Sequence, residues 1–119
     1  MHQYRTLDTW KHAHTAALAA LRATSRAPRD HWAIVDQLRR AVVSVEANIV
    51  EGYALGTGPL FRRHLRIALG SAAESECLVR MAGELGYFPA ETSEMLEREL
   101  DATMGCLVGL MRRGVAHRR

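Results

Sequence analysis

Lysine is almost absent: of the sixteen basic residues fifteen are arginine, and Lys11 is the one exception. Cysteine is scarce, with Cys77 and Cys106 alone. Two thiols in a chain without secretory features exclude a disulfide scaffold. Both fall inside helical patterns, where buried free thiols are expected. Three prolines and nine glycines exclude a low-complexity or collagenous chain. Seven aromatics are too few for a surface of stacked bases. The longest apolar runs, at 16–21 and 106–111, fall far short of the ~20 residues that a membrane span needs. The opening MHQYRTLDTW has no basic segment followed by an apolar one, so no signal peptide and no membrane partner are expected, and a cytoplasmic location is.

What is present is one domain's worth of amphipathic helix. The chain has 119 residues, 48% of them hydrophobic and 24% charged. That suits a single core and not two. Asp8 stands where a helix N-cap belongs, and Trp10, Ala13, Ala17, Leu18 and Leu21 follow at three- and four-residue spacing. Pro28 ends that pattern, and Asp30 is the next cap candidate. Ile34, Leu38, Val42, Val45 and Ile49 form an apolar stripe on a second helix. Beside it runs a small, polar stripe: Gln37, Ala41, Ser44, Asn48 and Glu51. Two stripes call for a second partner or a polar network, since a surface helix buries one face.

Gly56 to Pro59 breaks the chain, and Pro59 suits a first helical turn. The third helix carries two apolar stripes. One is Leu60, Ile67, Ser71, Glu74, Leu78, Met81 and Leu85; the other is Phe61, Leu65, Ala68, Ala72, Val79 and Ala82. So wide an arc predicts a heavily buried helix, with Gly70 and Ser71 small for close packing. Gly86 is placed to stop it as C′. The predicted helices cover about 9–25, 31–54, 59–85 and 90–113, with a basic tail at 114–119. Short connections make this an all-α, antiparallel up-down-up-down four-helix bundle spanning 1–119. The surplus apolar face predicts an oligomer.

The net charge of +3 hides a strong segregation. Residues 1–73 hold ten bases and five acids, 74–111 hold two and eight, and 112–119 hold four and none. Arg62, Arg63 and Arg66 open the third helix, where the helix dipole disfavours cations. An acidic neighbour or an anionic ligand must compensate. With Arg39, Arg40, Arg112, Arg113, Arg118 and Arg119 they are the candidate phosphate contacts. Trp10, Trp32, Phe61 and Tyr87 read as core or turn packing. No HExxH and no Glu-x-x-His occurs, and His12 and His14 point to different helix faces, so no metal and no cofactor is expected. Glycine-rich phosphate loops and nucleophile elbows are missing. An enzyme would have to use Glu51 and Glu74 in an open cleft, and is not expected.

Leu7-Asp8-x-Trp10-Lys11-x-Ala13, the run Gln37 to Ser44 continuing through Asn48-Ile49-Val50-Glu51-Gly52, Ile67-Ala68-Leu69-Gly70-Ser71-x-x-Glu74 and Glu84-Leu85-Gly86-Tyr87 together resemble one family. It is the four helix bundle family of 23S rRNA-intervening sequence proteins, similar to accessory proteins of diversity-generating retroelements. Ser44, Asn48, Glu51, Ser71 and Glu74 fall on the family's polar motif positions. The resemblance implies a bundle assembling as a ring, typically a homopentamer. The chain departs from the pattern at Glu46, where the family usually has proline, so the second helix should be straighter. The function expected is a non-enzymatic ring binding structured RNA through repeated arginines. The alternative is a protein–protein scaffold, with the basic third and acidic fourth helices meeting between subunits.

Overall fold

A computed structural model describes residues 3–56 and 58–113. It contains four long helices, α1 (Asp8–Ala23), α2 (Trp32–Leu55), α3 (Gly58–Glu84) and α4 (Ala90–Arg113), and two short 3-10 turns at Gln3–Thr6 and Arg29–His31. No strand occurs among the described residues. The bundle measures 44 × 21 × 21 Å, so α2, α3 and α4, each roughly 36–40 Å at 1.5 Å per residue, run nearly its whole length.

The helix ends depart from the cap pattern of the sequence in two places and follow it in one. Asp8 is not the cap of α1: Leu7 holds that position, and Asp8 is the first helical residue, where its charge still suits the dipole. Asp30 likewise caps nothing, because it lies in the 3-10 turn and His31 precedes α2. α1 stops at Ala23, two residues early. Its last carbonyls are taken there by the Thr24 amide and hydroxyl on Ala20, the Ser25 amide on Arg22 and the Arg39 guanidinium on Leu21. Gly86 performs as expected. At φ 75° it closes α3, its amide reaching the Gly83 carbonyl while that of Tyr87 reaches Ala82.

Two stacked apolar clusters form the core. One joins Ala16, Ala17 and Ala20 of α1 to Leu38 and Val42 of α2, Leu78, Val79 and Ala82 of α3, and Leu96 and Leu100 of α4. The other joins Ala13, Val45, Ile49, Phe61, Leu65, Ala68, Ala72, Leu107 and Leu110. The second cluster therefore gathers the beginning of α1, the end of α2, the beginning of α3 and the end of α4. Alanine on α1 keeps that helix close to its neighbours, and Gly52 lets α2 approach α3: a Cβ there would stand 3.3 Å from His64 Cβ.

Four expectations about packing are corrected. The inner stripe of α3 is buried, but of the apolar members of the other stripe only Leu78 is, while Leu60, Ile67, Met81 and Leu85 remain 40, 39, 46 and 57% exposed. Gly70 has no neighbour within 4 Å of where a Cβ would lie, so close packing inside the bundle does not explain it. Cys77 is exposed and Cys106 intermediate, and Trp32 lies 43% exposed outside the core.

Candidate functional site

The polar stripe of α2 meets α3 along a half-buried seam. Gln37 Nε2 donates to Glu74 at 2.8 Å, the Ser44 and Ser71 hydroxyls are 2.9 Å apart, and Asn48 Oδ1 lies 2.8 Å from His64 Nδ1. Asn48 also donates to the Ser44 carbonyl, Ser75 to that of Ser71, and Glu51 sits 3.6 Å from His64. The structure thus brings all five family-motif residues onto one seam. Its geometry is cohesive: each group is matched to another across or along the two helices, as partly buried polar groups require. Glu51 and Glu74 do not form a catalytic pair. Their seam partners, His64 and Gln37, mark positions about 15–21 Å apart along the bundle at 1.5 Å per residue. Two carboxylates flanking one bond stand within about 10 Å.

Glu46, at the position of the family's proline, has a role that sequence reasoning missed. One oxygen accepts from the Trp10 indole at 3.0 Å and lies 2.8 Å from His14 Nδ1, and the indole and imidazole stack at 4.6 Å. It ties α1 to α2, which runs on uninterrupted through this position. Trp10 and His14 are four residues apart and share a helix face, which was the available signal. A second histidine pair, His12 with Glu99 at 2.6 Å, ties α1 to α4. Arg80 bridges Glu76 and Glu97 between α3 and α4. The hydrogen bond to Glu76, with the charge of Glu97, raises its pKa above the usual arginine range. No group of three or more His, Cys, Asp or Glu side chains converges on a metal-sized site among the described residues.

The candidate phosphate contacts separate into three sets. Arg39 is half-buried and bound inside the bundle, its Nη1 donating to the Leu21 carbonyl at 2.9 Å and to the Thr24 hydroxyl at 2.8 Å. Arg40, one residue on, pairs with Asp36 at 3.2 Å. Arg118 and Arg119 lie outside the described residues. Arg62, Arg63, Arg66, Arg112 and Arg113 are exposed and come together at one end of the bundle, beside the cluster that contains Phe61, Leu65 and Leu110. Among the described residues none of these five has an acidic partner within 4 Å. The terminal turns at this end also bring Arg5 and Lys11, against only Asp8 and Glu51. At the opposite end Glu84, Glu91, Glu94 and Glu97 are mixed with Arg22, Arg26 and Arg29.

The three arginines of α3 point different ways. Arg62 lies eighteen residues, five full turns, before Arg80, so it shares the α4 side of the helix, and Arg66 is one turn on. Arg63 lies eleven residues, three turns, before Glu74, which meets Gln37 of α2, so it lies with Leu60 and Ile67 on the α2 side. A groove opens between α1 and α2, about 380 Å³, lined by Ala17, Leu18, Leu21, Val43, Ala47 and Val50 with Glu46 and Glu51.

The family model of the 23S rRNA-intervening sequence protein matches residues 5–109. Among curated proteins there is no match. A solved structure of a protein of unknown function from the S23 ribosomal protein family of Bacteroides thetaiotaomicron is similar in fold, with a TM-score of 0.79 at 19% identity over 87% of this chain and 95% of that one. No helix among the described residues is long and apolar enough to cross a membrane. With the fold shared and the family model covering nearly all of the four helices, the chain belongs to the 23S rRNA-intervening sequence protein family.

Proposed function

We propose that this chain is a non-enzymatic, antiparallel up-down-up-down bundle that assembles into a ring, a homopentamer by family resemblance, and binds structured RNA through its basic end. One observation carries this reading. Arg62, Arg63 and Arg66 stand at the N-terminus of α3, where the dipole opposes them, and among the described residues no carboxylate lies within salt-bridge reach. That leaves an external anion as the compensating partner, and a phosphate backbone meets several arginines gathered at one end better than a single small anion does. The contacts on this reading are Arg62, Arg66, Arg112 and Arg113, with Arg118 and Arg119 following in the chain. Repetition around a ring multiplies a modest patch by avidity. The scaffold alternative draws on the exposed apolar residues of α2 and α3, which are compatible with the ring.

A salt titration of binding to a structured RNA tests the reading. With four to six phosphate contacts per subunit, affinity falls roughly 10²- to 10³-fold between 50 and 200 mM salt. No binding at low salt, or binding indifferent to salt, refutes it and leaves the scaffold.

A further inference from the structure

We infer that the groove between α1 and α2 seats the first turns of α3 from a second copy of the chain, in a head-to-tail contact. This rests on the oligomeric part of the proposal above and names the two surfaces and the ion pair that make it. The groove is floored by Leu18, Leu21, Val43, Ala47 and Val50, and Val43 is 50% exposed. A β-branched residue on the open face of a helix lowers helix propensity, and Val43 leaves half its surface uncovered in its own bundle. The matching ridge is Leu60, Arg63 and Ile67, at spacings of three and four, with both apolar members about two-fifths exposed.

Charge decides what covers the groove. At the C-terminal end of α2 its margin is acidic: Glu51 is 59% exposed, with only His64, 3.6 Å away, as an ion-pair partner among the described residues. At the other end, beside Leu21 and Val43, Arg39 is held by Leu21 and Thr24 and Arg40 by Asp36, so Glu51 is the margin charge open to a cation. The ridge carries one base, Arg63, without an acidic partner. An apolar floor with an acidic margin fits an apolar ridge bearing a cation. Both surfaces belong to this chain and are made of different residues, so a head-to-tail contact between them is heterologous, the kind that closes into a ring or runs on as a filament. Arg63 then pairs with Glu51 of the partner subunit. Arg62 and Arg66, on the α4 side, stay outside the contact and free for phosphate.

Sedimentation velocity on the full chain tests this with wild type, Val43→Glu, Arg63→Glu, Glu51→Arg and the double variant Arg63→Glu/Glu51→Arg. All three positions are exposed, and far-UV circular dichroism verifies that each variant stays helical. Wild type should sediment as an oligomer. Val43→Glu and each single reversal should raise the subunit dissociation constant about tenfold or more, and the double reversal should restore most of that loss. A monomeric wild type overturns the oligomeric reading and this pairing with it. An oligomer unmoved by Val43→Glu and Arg63→Glu overturns the pairing alone. Dissociation by the single reversals without rescue in the double also overturns it.

Discussion

Replacing Arg39 with alanine separates structural arginines from ligand-binding ones. Its guanidinium donates from one nitrogen to the Leu21 carbonyl and to the Thr24 hydroxyl, and Thr24 is only 2% exposed. These bonds close the C-terminus of α1, which ends without glycine. Hydrogen bonds from a charged donor contribute about 1.5–3 kcal/mol each when buried, and half-exposure reduces the pair to roughly 2 kcal/mol in total. At ~2.1 cal/mol/K of unfolding entropy per residue, that loss lowers Tm by about 8 °C for a chain of this length. Thermal unfolding followed by circular dichroism at 222 nm measures it, with protomer concentration held constant because association also shifts Tm. Arg62→Ala and Arg66→Ala should change stability by no more than about 0.5 kcal/mol while weakening RNA binding. Arg39→Ala should leave the salt slope of binding unchanged. If Arg39→Ala melts within about 2 °C of wild type, the capping argument is wrong.

Two further predictions concern packing. Glu46→Ala should destabilise by about 1–2 kcal/mol in urea unfolding, because the Trp10 indole and His14 lose their shared acceptor, and Trp10 emission should shift to the red in a Trp32→Phe background; an unshifted spectrum would contradict the bridge. Gly83→Ala and Gly70→Ala should move in opposite directions. A Cβ at Gly83 would stand 2.6 Å from Ser93 Oγ and 3.2 Å from its Cβ, an overpacking that costs about 1–3 kcal/mol against the ~1 kcal/mol gained in propensity. Gly70 has open space, so alanine there should stabilise by about 1 kcal/mol, and the reverse order in denaturant midpoints would refute the packing account.

Much of the fold was legible because the signals were local. The apolar stripe Leu38, Val42, Val45 and Ile49 and the inner stripe of α3 are buried as their spacing required. The small polar stripe of α2 was legible as a network, and it pairs with Ser71, Glu74 and His64 of α3. Helix starts were less legible. Asp8 and Asp30 are good cap residues, but a cap needs the right backbone angles as well as the right side chain, and each helix start lies one residue from the place the cap pattern indicates.

Periodicity located the four helices, the residues able to line a core and an apolar surplus on α3, because each is a property of neighbours three and four positions apart. Composition excluded membrane spans and a disulfide framework. The charge pattern looked like a basic front, an acidic fourth quarter and a basic tail. Folding changed its meaning. It put the first turns of α3 beside the last turns of α4, so segments roughly fifty residues apart make one basic end. It also withdrew Arg39 into a helix cap and divided Arg63 from Arg62 and Arg66 by a rotation of the helix. Those assignments depend on which helix lies beside which and on where each side chain points around its axis. Spacing along a single helix carries no record of its neighbours, so packing alone could settle them.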